Sequence, residues 1–217
     1  MEEGTSHEIR WLVLVPTQLE RDQLELDTAD DVRVELCGFG LVVAGAKASQ
    51  LITSYRPQRV LLCGIAGALS DDIDVGDACQ FKRVGIHGIG VGHAGEHTAA
   101  EKLGWLQWKG GGIEIGSELV LDFSGDDETT RDLLVSVCAG SSNSFDAELV
   151  RSAFPAAFAE EMEGFAVATA AKLASVPCQI VRGFSNIAGD RDQNNWEIAE
   201  AMSSVSKLAN QIIGRDQ

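Results

Sequence analysis

Residues 158–174, FAEEMEGFAVATAAKLA, change character in the middle of the stretch. Residues 158–161 predict a short strand, whereas the alanine-rich run at 164–174 predicts a tightly packing helix. Acidic residues crowd the junction between the two. A strand that leads directly into a helix is the repeating unit of α/β proteins, and these proteins bind ligands outside the carboxyl ends of their strands. The junction is therefore the first place where we expect a site.

The same alternation of strand and helix extends outward over the whole chain. Short apolar runs predict strands at 9–15, 32–36, 60–62, 118–123, 133–138, 158–161 and 178–181. Amphipathic or alanine-rich stretches predict helices at 18–26, 44–55, 147–153, 164–174 and 196–213. No linker or repeat divides the sequence. We therefore expect a single α/β domain over residues 1–217, with a central mixed, mostly parallel sheet flanked by helices.

The region 85–116 is the exception to this alternation. It is rich in glycine and contains Trp105 and Trp108. Long segments without regular structure inside a compact domain are commonly functional. We therefore expect a long loop here, at a functional site or an interface.

The composition excludes several classes of partner. Of the 217 residues, 45% are hydrophobic and 23% are charged, which is typical of a globular domain. The formal net charge of -16 would repel nucleic acids and anionic membrane surfaces. The apolar runs are too short to span a membrane, and residues 1–8 are polar, unlike a signal peptide. We expect a cytoplasmic protein that binds neither nucleic acid nor membrane.

Cysteine and histidine usage indicates no metal and no disulfide framework. The five cysteines are far apart and form no CxxC pair, which favours buried, reduced thiols. His93 and His97 have the spacing of two ligands on a helix, but Gly92 and Gly95 argue against a helix there. We therefore expect neither a metal ion nor another cofactor.

Four polar or glycine-rich segments follow predicted strands. They are residues 17–20, 64–67, 161–164 and 185–186. Because the carboxyl ends of parallel strands lie at the same edge of a sheet, we expect these segments to converge on one ligand site.

Three sequence blocks resemble those of one enzyme superfamily. Residues 161–168, EMEGFAVA, resemble the E-M-E-[GA]-x-A signature of nucleoside phosphorylases and of methylthioadenosine/adenosylhomocysteine nucleosidases. Residues 64–67, GIAG, with VGD at 75–77, resemble the G-x-[AC]-G and V-G-D block, and residues 182–186, RGFSN, resemble the R-x-x-S-[DN] block. The resemblance extends over nearly the whole chain. It implies a nucleoside phosphorylase-like fold and a purine nucleoside as the ligand.

The resemblance also implies roles for individual residues. Glu20 would be the general base that activates water, with a solvated residue in a first helical turn as the alternative. Glu163 would accept hydrogen bonds from the ribose hydroxyls, although it could equally be a carboxylate favoured by a helix N-terminus. Met162 would pack against the sugar, and Glu161 would bind substrate or serve as a structural partner. Further binding residues implied in the same way are Ile65, Gly140, Ser141 and Ser185.

Asn186 favours a 6-oxopurine as the base. Adenine-cleaving relatives carry an aspartate here, which donates to N7 and accepts from the exocyclic amine. An asparagine amide instead offers its NH2 to O6 and its oxygen to a protonated N7. Asn186 would thus stabilise the leaving group by hydrogen bonding rather than as a general acid. The alternative is that it only caps or turns the chain after a strand.

Two positions favour hydrolysis over phosphorolysis. Phosphorylases of this superfamily hold phosphate with an arginine and a serine where this chain has Leu62 and Ile65. The turn at Gly38 to Gly40 offers backbone N–H groups but no positive side chain. That turn is a weak anion site at best, and an anionic co-substrate would find no partner at Leu62 and Ile65.

Within the superfamily, residues 185–192, SNIAGDRD, followed by Trp196, resemble the S-N-x-x-G-x-R-D and W pattern of futalosine hydrolases. That resemblance implies cleavage of futalosine to hypoxanthine and dehypoxanthine futalosine, on a route to menaquinone. Futalosine carries a benzoate, which Arg191 could bind through its guanidinium, with pairing to Asp190 or Asp192 as the alternative.

Other functions stay open at this point. The region 85–116 lacks the acidic, aromatic-containing pattern of futalosine hydrolases, and Ile65 replaces a common serine. A methylthioadenosine-type nucleosidase, an inosine phosphorylase and a nucleoside-binding protein without turnover are the alternatives. The resemblance further implies a homo-oligomer, in which a neighbouring subunit closes part of the pocket.

Overall fold

The computed structural model describes residues 8–27, 29–92, 96–123 and 129–215, and His93 therefore lies outside the described residues. The strands are β1 (Trp11–Val15), β2 (Val32–Leu36), β3 (Arg59–Ala68), β4 (Ala78–Ile86), β5 (Gly90–Val91), β6 (Thr98–Ala99), β7 (Trp108–Gly110), β8 (Ile113–Ile115), β9 (Glu118–Val120), β10 (Thr130–Ser136), β11 (Ala157–Glu161) and β12 (Cys178–Ile187). The α-helices are α1 (Gln18–Gln23), α2 (Leu41–Tyr55), α3 (Ser144–Ala153), α4 (Gly164–Leu173) and α5 (Ile198–Arg215).

The main sheet has the order β11-β10-β4-β12-β3-β1-β2, and β9 pairs with β4. Neighbours are parallel from β2 through β1 and β3 to β12, and β10 is parallel to both β4 and β11. The pairs β12–β4, β4–β9 and β11–β3 are antiparallel. Because β11 also pairs with β3, five strands form a closed ring. The predicted α/β class with a mixed, mostly parallel sheet is confirmed.

Helices cover both faces of this sheet. Alternate residues of β1 point to opposite sides: Leu12 and Leu14 pack with α2 and α4, whereas Trp11 and Val13 pack with α5. All five residues of β1 are fully buried, which explains its uninterrupted apolar sequence. A Cβ at Gly45 of α2 would lie 3.3 Å from Ala166 Cβ of α4, so small residues let these two helices approach closely.

The structure differs from the predicted elements where glycine interrupts the apolar pattern. The strand predicted at 60–62 continues to Ala68, because the glycines of its second half keep their backbone pairing with β12. Strand β4 was not predicted. The helix predicted at 18–26 ends at Gln23.

The region expected as a loop, 85–116, instead contains the end of β4 and two small antiparallel pairs, β5–β6 and β7–β8. Gly111 and Gly112, which connect β7 and β8, have φ of 59° and 80°. Positive φ at both central residues is what a tight hairpin turn requires, so this glycine pair is a hairpin signal that the prediction of a loop missed. None of the described residues of this region lines the cavity at the carboxyl ends of β1, β3, β11 and β12.

Two further properties of the fold concern its helices and its cysteines. Within the described residues, no helix has the length and apolar character needed to cross a membrane. Four of the five cysteines are buried and Cys138 is exposed, all as free thiols. Burial raises the pKa of Cys63 and of Cys178 to about 12, which makes these thiols unreactive.

Candidate active site

A cavity of about 820 Å³ opens at the carboxyl ends of β1, β3, β11 and β12. Its volume is in the range of sites that enclose a small organic ligand. The structure brings together here every residue that the sequence predicted for the site. These are Glu20, Ile65, Gly140, Ser141, Glu161, Met162, Glu163, Ser185, Asn186 and Arg191.

Glu20 is fixed at one wall of the cavity by three hydrogen bonds. Its Oε2 accepts from the Thr17 N–H at 3.0 Å and from the Thr17 hydroxyl at 2.5 Å, which closes a capping box at the start of α1. Its Oε1 accepts from the Ile65 N–H of β3 at 3.0 Å. Glu20 is only 4% exposed. The carboxylate thus caps the N-terminus of α1 and also lines the cavity.

Arg182 lies next to Glu20, and its contribution was missed by sequence reasoning. This fully buried side chain donates from Nη2 to Glu161 Oε2 and, at 3.1 Å, to Glu163 Oε2. Within the described residues its Nε and Nη1 have no hydrogen-bond partner. The available signal was an arginine inside the apolar strand β12, where a charge must have buried partners.

Gly64 makes room for this arrangement. A Cβ at residue 64 would lie 2.1 Å from Arg182 Nη1 and 2.7 Å from Glu20 Oε1. Both distances are far below van der Waals contact, so only glycine lets the guanidinium and the carboxylate approach here. Gly64, the first glycine of the GIAG motif, is therefore required by the packing of two charged groups.

Three carboxylates, of Glu20, Glu161 and Glu163, face one buried guanidinium. Burial raises the pKa of Glu163 to about 7, the positive charge of Arg182 opposes that shift, and the negative charges of Glu161 and Glu20 add to it. The same carboxylates raise the pKa of Arg182 against the effect of its burial. The centre of the cavity is therefore negative when all three acids are ionised, and Glu163 exchanges its proton near neutral pH.

The junction of β11 and α4 divides its two acids between structure and cavity. Glu161 accepts from the Ser136 hydroxyl and from the N–H groups of Glu163 and Gly164, at 2.8 and 2.7 Å for the latter two. It therefore caps the N-terminus of α4. Glu163 is the N-cap residue, but its side chain makes no capping bond. Its Oε1 instead accepts from the Gly40 N–H at 3.0 Å.

The structure divides the roles of these two acids differently from the sequence prediction. Glu161, rather than Glu163, is the carboxylate that satisfies the helix N-terminus, and its oxygens are occupied by protein donors. Glu163 keeps acceptor capacity toward the cavity. Met162, between them, is half-buried and packs against a small apolar cluster that includes Val135 and Val137.

Asn186 lies near the end of β12 with its amide held in one orientation. Its Nδ2 donates to the carbonyl of Ile187 at 2.8 Å and more weakly to that of Asp190 at 3.4 Å, and its Oδ1 accepts from the Ser185 hydroxyl at 2.9 Å. Reversing the amide would place its oxygen against two carbonyl oxygens. The acceptor Oδ1 therefore has a free lone pair, whereas the NH2 group predicted to reach O6 already has partners.

Sequence reasoning also missed Glu160, a fourth carboxylate in the cavity wall. Its Oε1 accepts from the Ser141 N–H and its Oε2 from the Ser141 hydroxyl, both at 2.7 Å. Glu160 and Ser141 are 6% and 4% exposed. Burial raises the pKa of Glu160, and the two hydrogen bonds from Ser141 oppose the shift. In the sequence, Glu160 directly precedes the EMEG motif and is not part of it.

Arg191 forms neither of the ion pairs considered as alternatives to substrate binding. Asp190 accepts from the Asn195 side chain and Asp192 accepts from Asn194. The guanidinium of Arg191 instead lies over the Trp196 ring, 5.0 Å from its centroid. An exposed cation stacked on a flat ring at the cavity wall is suited to bind an anionic group.

Fold and site together define an α/β protein of the nucleoside phosphorylase-like type, with a carboxylate-rich cavity at the carboxyl ends of its strands. Residues 133–215 match the family model described as "Phosphorylase superfamily". A 5'-methylthioadenosine/S-adenosylhomocysteine nucleosidase of Tolumonas auensis is 27% identical over 181 residues, which are 77% of this chain and 73% of the relative. A futalosine hydrolase of Streptomyces coelicolor is 41% identical over 66 residues, 30% of this chain and 28% of the relative.

Among solved structures, a 5'-methylthioadenosine/S-adenosylhomocysteine nucleosidase of Colwellia psychrerythraea in complex with adenine superposes with a TM-score of 0.74. The sequences are 18% identical and the superposition covers 96% of both chains, so this likeness is one of fold. The predicted resemblance to the phosphorylase superfamily is confirmed by the family model over residues 133–215 and by these relatives.

Proposed function

We propose that this chain is a nucleosidase that hydrolyses the N-glycosidic bond of a 6-oxopurine nucleoside, and that futalosine is its substrate. The observation that carries the proposal is the arrangement of the cavity. Glu20 and Glu163 line it, the buried Arg182 pairs with Glu163, and Asn186 lies in the same wall, on the strand that supplies Arg182. The first group suits water and a ribose, and the amide suits a purine.

Proton transfers in the proposed reaction follow from these contacts. A water molecule attacks C1′ of the ribose, Glu20 accepts one of its protons, and the bond between C1′ and the purine N9 breaks with its electron pair leaving on the base. The base takes up a proton from solvent at N7. Asn186 Oδ1, which has one free lone pair, accepts a hydrogen bond from that N–H. The products are a free purine and a sugar with a hydroxyl at C1′.

In the proposed reaction, Glu163 holds the ribose. One of its oxygens accepts from Gly40 and the other from Arg182, and each carboxylate oxygen has a second lone pair for a sugar hydroxyl. Two fixed partners orient the carboxylate before substrate arrives. Such orientation lowers the entropic cost of holding the sugar as charge develops at C1′.

Water is favoured over phosphate as the nucleophile by the charge of this cavity. A phosphate dianion beside Glu20 and Glu163 would lie near the carboxylates of Glu20, Glu161 and Glu163, and the cation among them is the buried Arg182. That guanidinium already donates to two of the three acids. A neutral water molecule carries no such penalty, so the arrangement supports hydrolysis.

The amide of Asn186 supports a 6-oxopurine, but through contacts that differ from those predicted from the sequence. Its oxygen accepts from N7–H without rearrangement. Its bond to the Asp190 carbonyl is long, at 3.4 Å, and is the one that a purine O6 would replace. Arg191, stacked on Trp196 at the cavity wall, would pair with the benzoate that distinguishes futalosine from smaller nucleosides.

A methylthioadenosine-type nucleosidase is the second candidate. The relatives that match most of the chain carry that name, whereas the futalosine hydrolase matches 66 residues. The two candidates differ in the base and in the group attached to the ribose. Both require the same nucleophile and the same ribose contacts, so only the choice of substrate separates them.

Base release from futalosine, inosine and methylthioadenosine in phosphate-free buffer, and again with phosphate added, tests the proposal. We expect hypoxanthine from futalosine without phosphate, and loss of this activity by at least about 100-fold in Glu20→Gln. Adenine release from methylthioadenosine alone would show the second candidate to be right. Strict dependence on phosphate would contradict hydrolysis, and no release from any of the three would contradict the proposed activity.

A further inference from the structure

Thr17 contacts the Glu20 carboxylate through two donors. The Thr17 N–H donates to Glu20 Oε2 at 3.0 Å, and the Thr17 hydroxyl donates to the same oxygen at 2.5 Å. The hydroxyl also accepts from the Glu20 N–H, at 3.3 Å. Thr17 is half-buried and lines the cavity together with Glu20. One hydroxyl thus serves both the backbone and the side chain of the proposed general base.

The lengths of these two hydroxyl contacts show which of them is the stronger. Hydrogen bonds from N–H to oxygen measure about 2.7–3.2 Å, so the capping bond from the Glu20 N–H, at 3.3 Å, is long. A hydroxyl that donates to a carboxylate lies about 2.5–2.7 Å from it, as the Thr17 hydroxyl does. A residue that only capped α1 would have its shorter contact with the backbone N–H. The hydroxyl is therefore committed mainly to the carboxylate.

The same contacts make the two carboxylate oxygens of Glu20 unequal. Each oxygen of a carboxylate has two lone pairs. Both lone pairs of Oε2 accept from Thr17. Within the described residues, Oε1 accepts a single bond, from the Ile65 N–H at 3.0 Å. Oε1 is therefore the oxygen that keeps a lone pair for a proton.

We infer that Thr17 is a positioning residue for the proposed general base: its hydroxyl occupies Oε2 of Glu20 and directs proton transfer to Oε1. This inference rests on the proposed function, and it names the oxygen that acts. In that step an O–H bond of water breaks and its proton goes to Oε1. The water oxygen bonds to C1′, and the electron pair of the bond between C1′ and N9 leaves on the purine. Thr17 acts through Glu20 and not on the nucleoside.

Hydrolysis by Thr17→Val and Thr17→Ser, with the nucleoside that wild type cleaves, tests this role. Valine has the shape of threonine without the hydroxyl, whereas serine keeps the hydroxyl. We expect kcat to fall by about 10- to 100-fold in Thr17→Val, the range for a lost hydrogen bond to a charged group, with KM unchanged. Thr17→Ser should retain the wild-type kcat. An equal loss in both variants, or an unchanged kcat in Thr17→Val, would overturn the inference.

Hydrogen exchange of the Ile65 amide, followed by NMR, measures the position of Glu20 without turnover. This N–H donates to Oε1, so it is protected from exchange while the carboxylate is held in place. We expect exchange at Ile65 to be faster by about tenfold or more in Thr17→Val and unchanged in Thr17→Ser. Leu62, in register with residues of β1 and β12 in the same strand, is the internal reference. Equal acceleration at both amides, or none at Ile65, would contradict positioning by the hydroxyl.

The two measurements keep the inference apart from the proposed function. Faster exchange at Ile65 in Thr17→Val alone, with no base release by wild type from any nucleoside, would support positioning of Glu20 and contradict the proposed function. Hydrolysis by wild type and Thr17→Val at the same rate would support the proposed function and overturn the inference. Thr17→Ala, which also lacks the hydroxyl, takes the place of Thr17→Val if the valine variant does not fold.

Discussion

Substitution of Gly64 by alanine perturbs the buried charge cluster without removing any charged group. The new Cβ would lie 2.1 Å from Arg182 Nη1, about 1.4 Å short of a normal contact. Arg182 is fully buried, so it can move away only by giving up its bonds to Glu161 and Glu163. Breaking a buried ion pair costs about 3–5 kcal/mol.

For a chain of this size, each kcal/mol lowers the midpoint of thermal unfolding by about 2–4 °C, so we expect Gly64→Ala to unfold about 6–20 °C below wild type. Circular dichroism melting curves measure this shift. Gly214→Ala is the control, because a Cβ at residue 214 in α5 meets no atom of the other described parts of the chain within 4 Å and alanine favours a helix. A Gly64→Ala protein that melts within about 2 °C of wild type and retains base release would refute the reasoning.

Three further predictions concern the ligands of the cavity. Burial raises the pKa of Glu163 from 4.5 to about 7, so the protonated form stabilises the fold and this contribution is lost as pH rises between the two values. Urea titrations measure the unfolding free energy of wild type minus that of Glu163→Gln, which should fall over this interval. A difference that stays constant would show the pKa to be unshifted. Asn186→Asp should raise the ratio of methylthioadenosine to futalosine hydrolysis by about tenfold or more, and an unchanged ratio would remove Asn186 as a selector. Arg191→Ala should raise KM for futalosine by about 10- to 100-fold and leave KM for inosine, which lacks the benzoate, unchanged; an equal rise for both would contradict a carboxylate contact.

The fold was predictable where the apolar pattern is continuous. The β1 strand is buried on both faces and its sequence is apolar throughout, so its position follows from composition alone. Strand β3 shows the limit: its first half was predicted, but GIAGA continues the same strand through backbone pairing, which side-chain patterns do not reveal. Gly64 leaves space for Arg182 and Glu20, and Gly67 leaves space for Ala188, so neither glycine marks a turn.

The site was predictable in its membership but less so in its contacts. Segments that follow parallel strands converge by topology, and residues 17–20, 64–67, 161–164 and 185–186 all contribute to the cavity. Which acid caps α4 and which faces the cavity depends on side-chain direction at one bend, and the sequence does not distinguish Glu161 from Glu163 there. Glu160 was missed because its hydrogen-bond partner Ser141 is nineteen positions away and meets it only in the folded chain.

The charge cluster joins the stability of this protein to its proposed activity. Its acids come from three places, α1, the end of β11 and the start of α4, and its cation comes from β12. Each charge is costly to bury alone, and the cost is offset only when all four elements are in place. The cavity and the fold therefore form together, and a substitution that removes Arg182 leaves three buried carboxylates without a counter-charge. Activity lost in such a variant would reflect the fold as much as the chemistry, whereas Arg191 is exposed and lies outside this cluster.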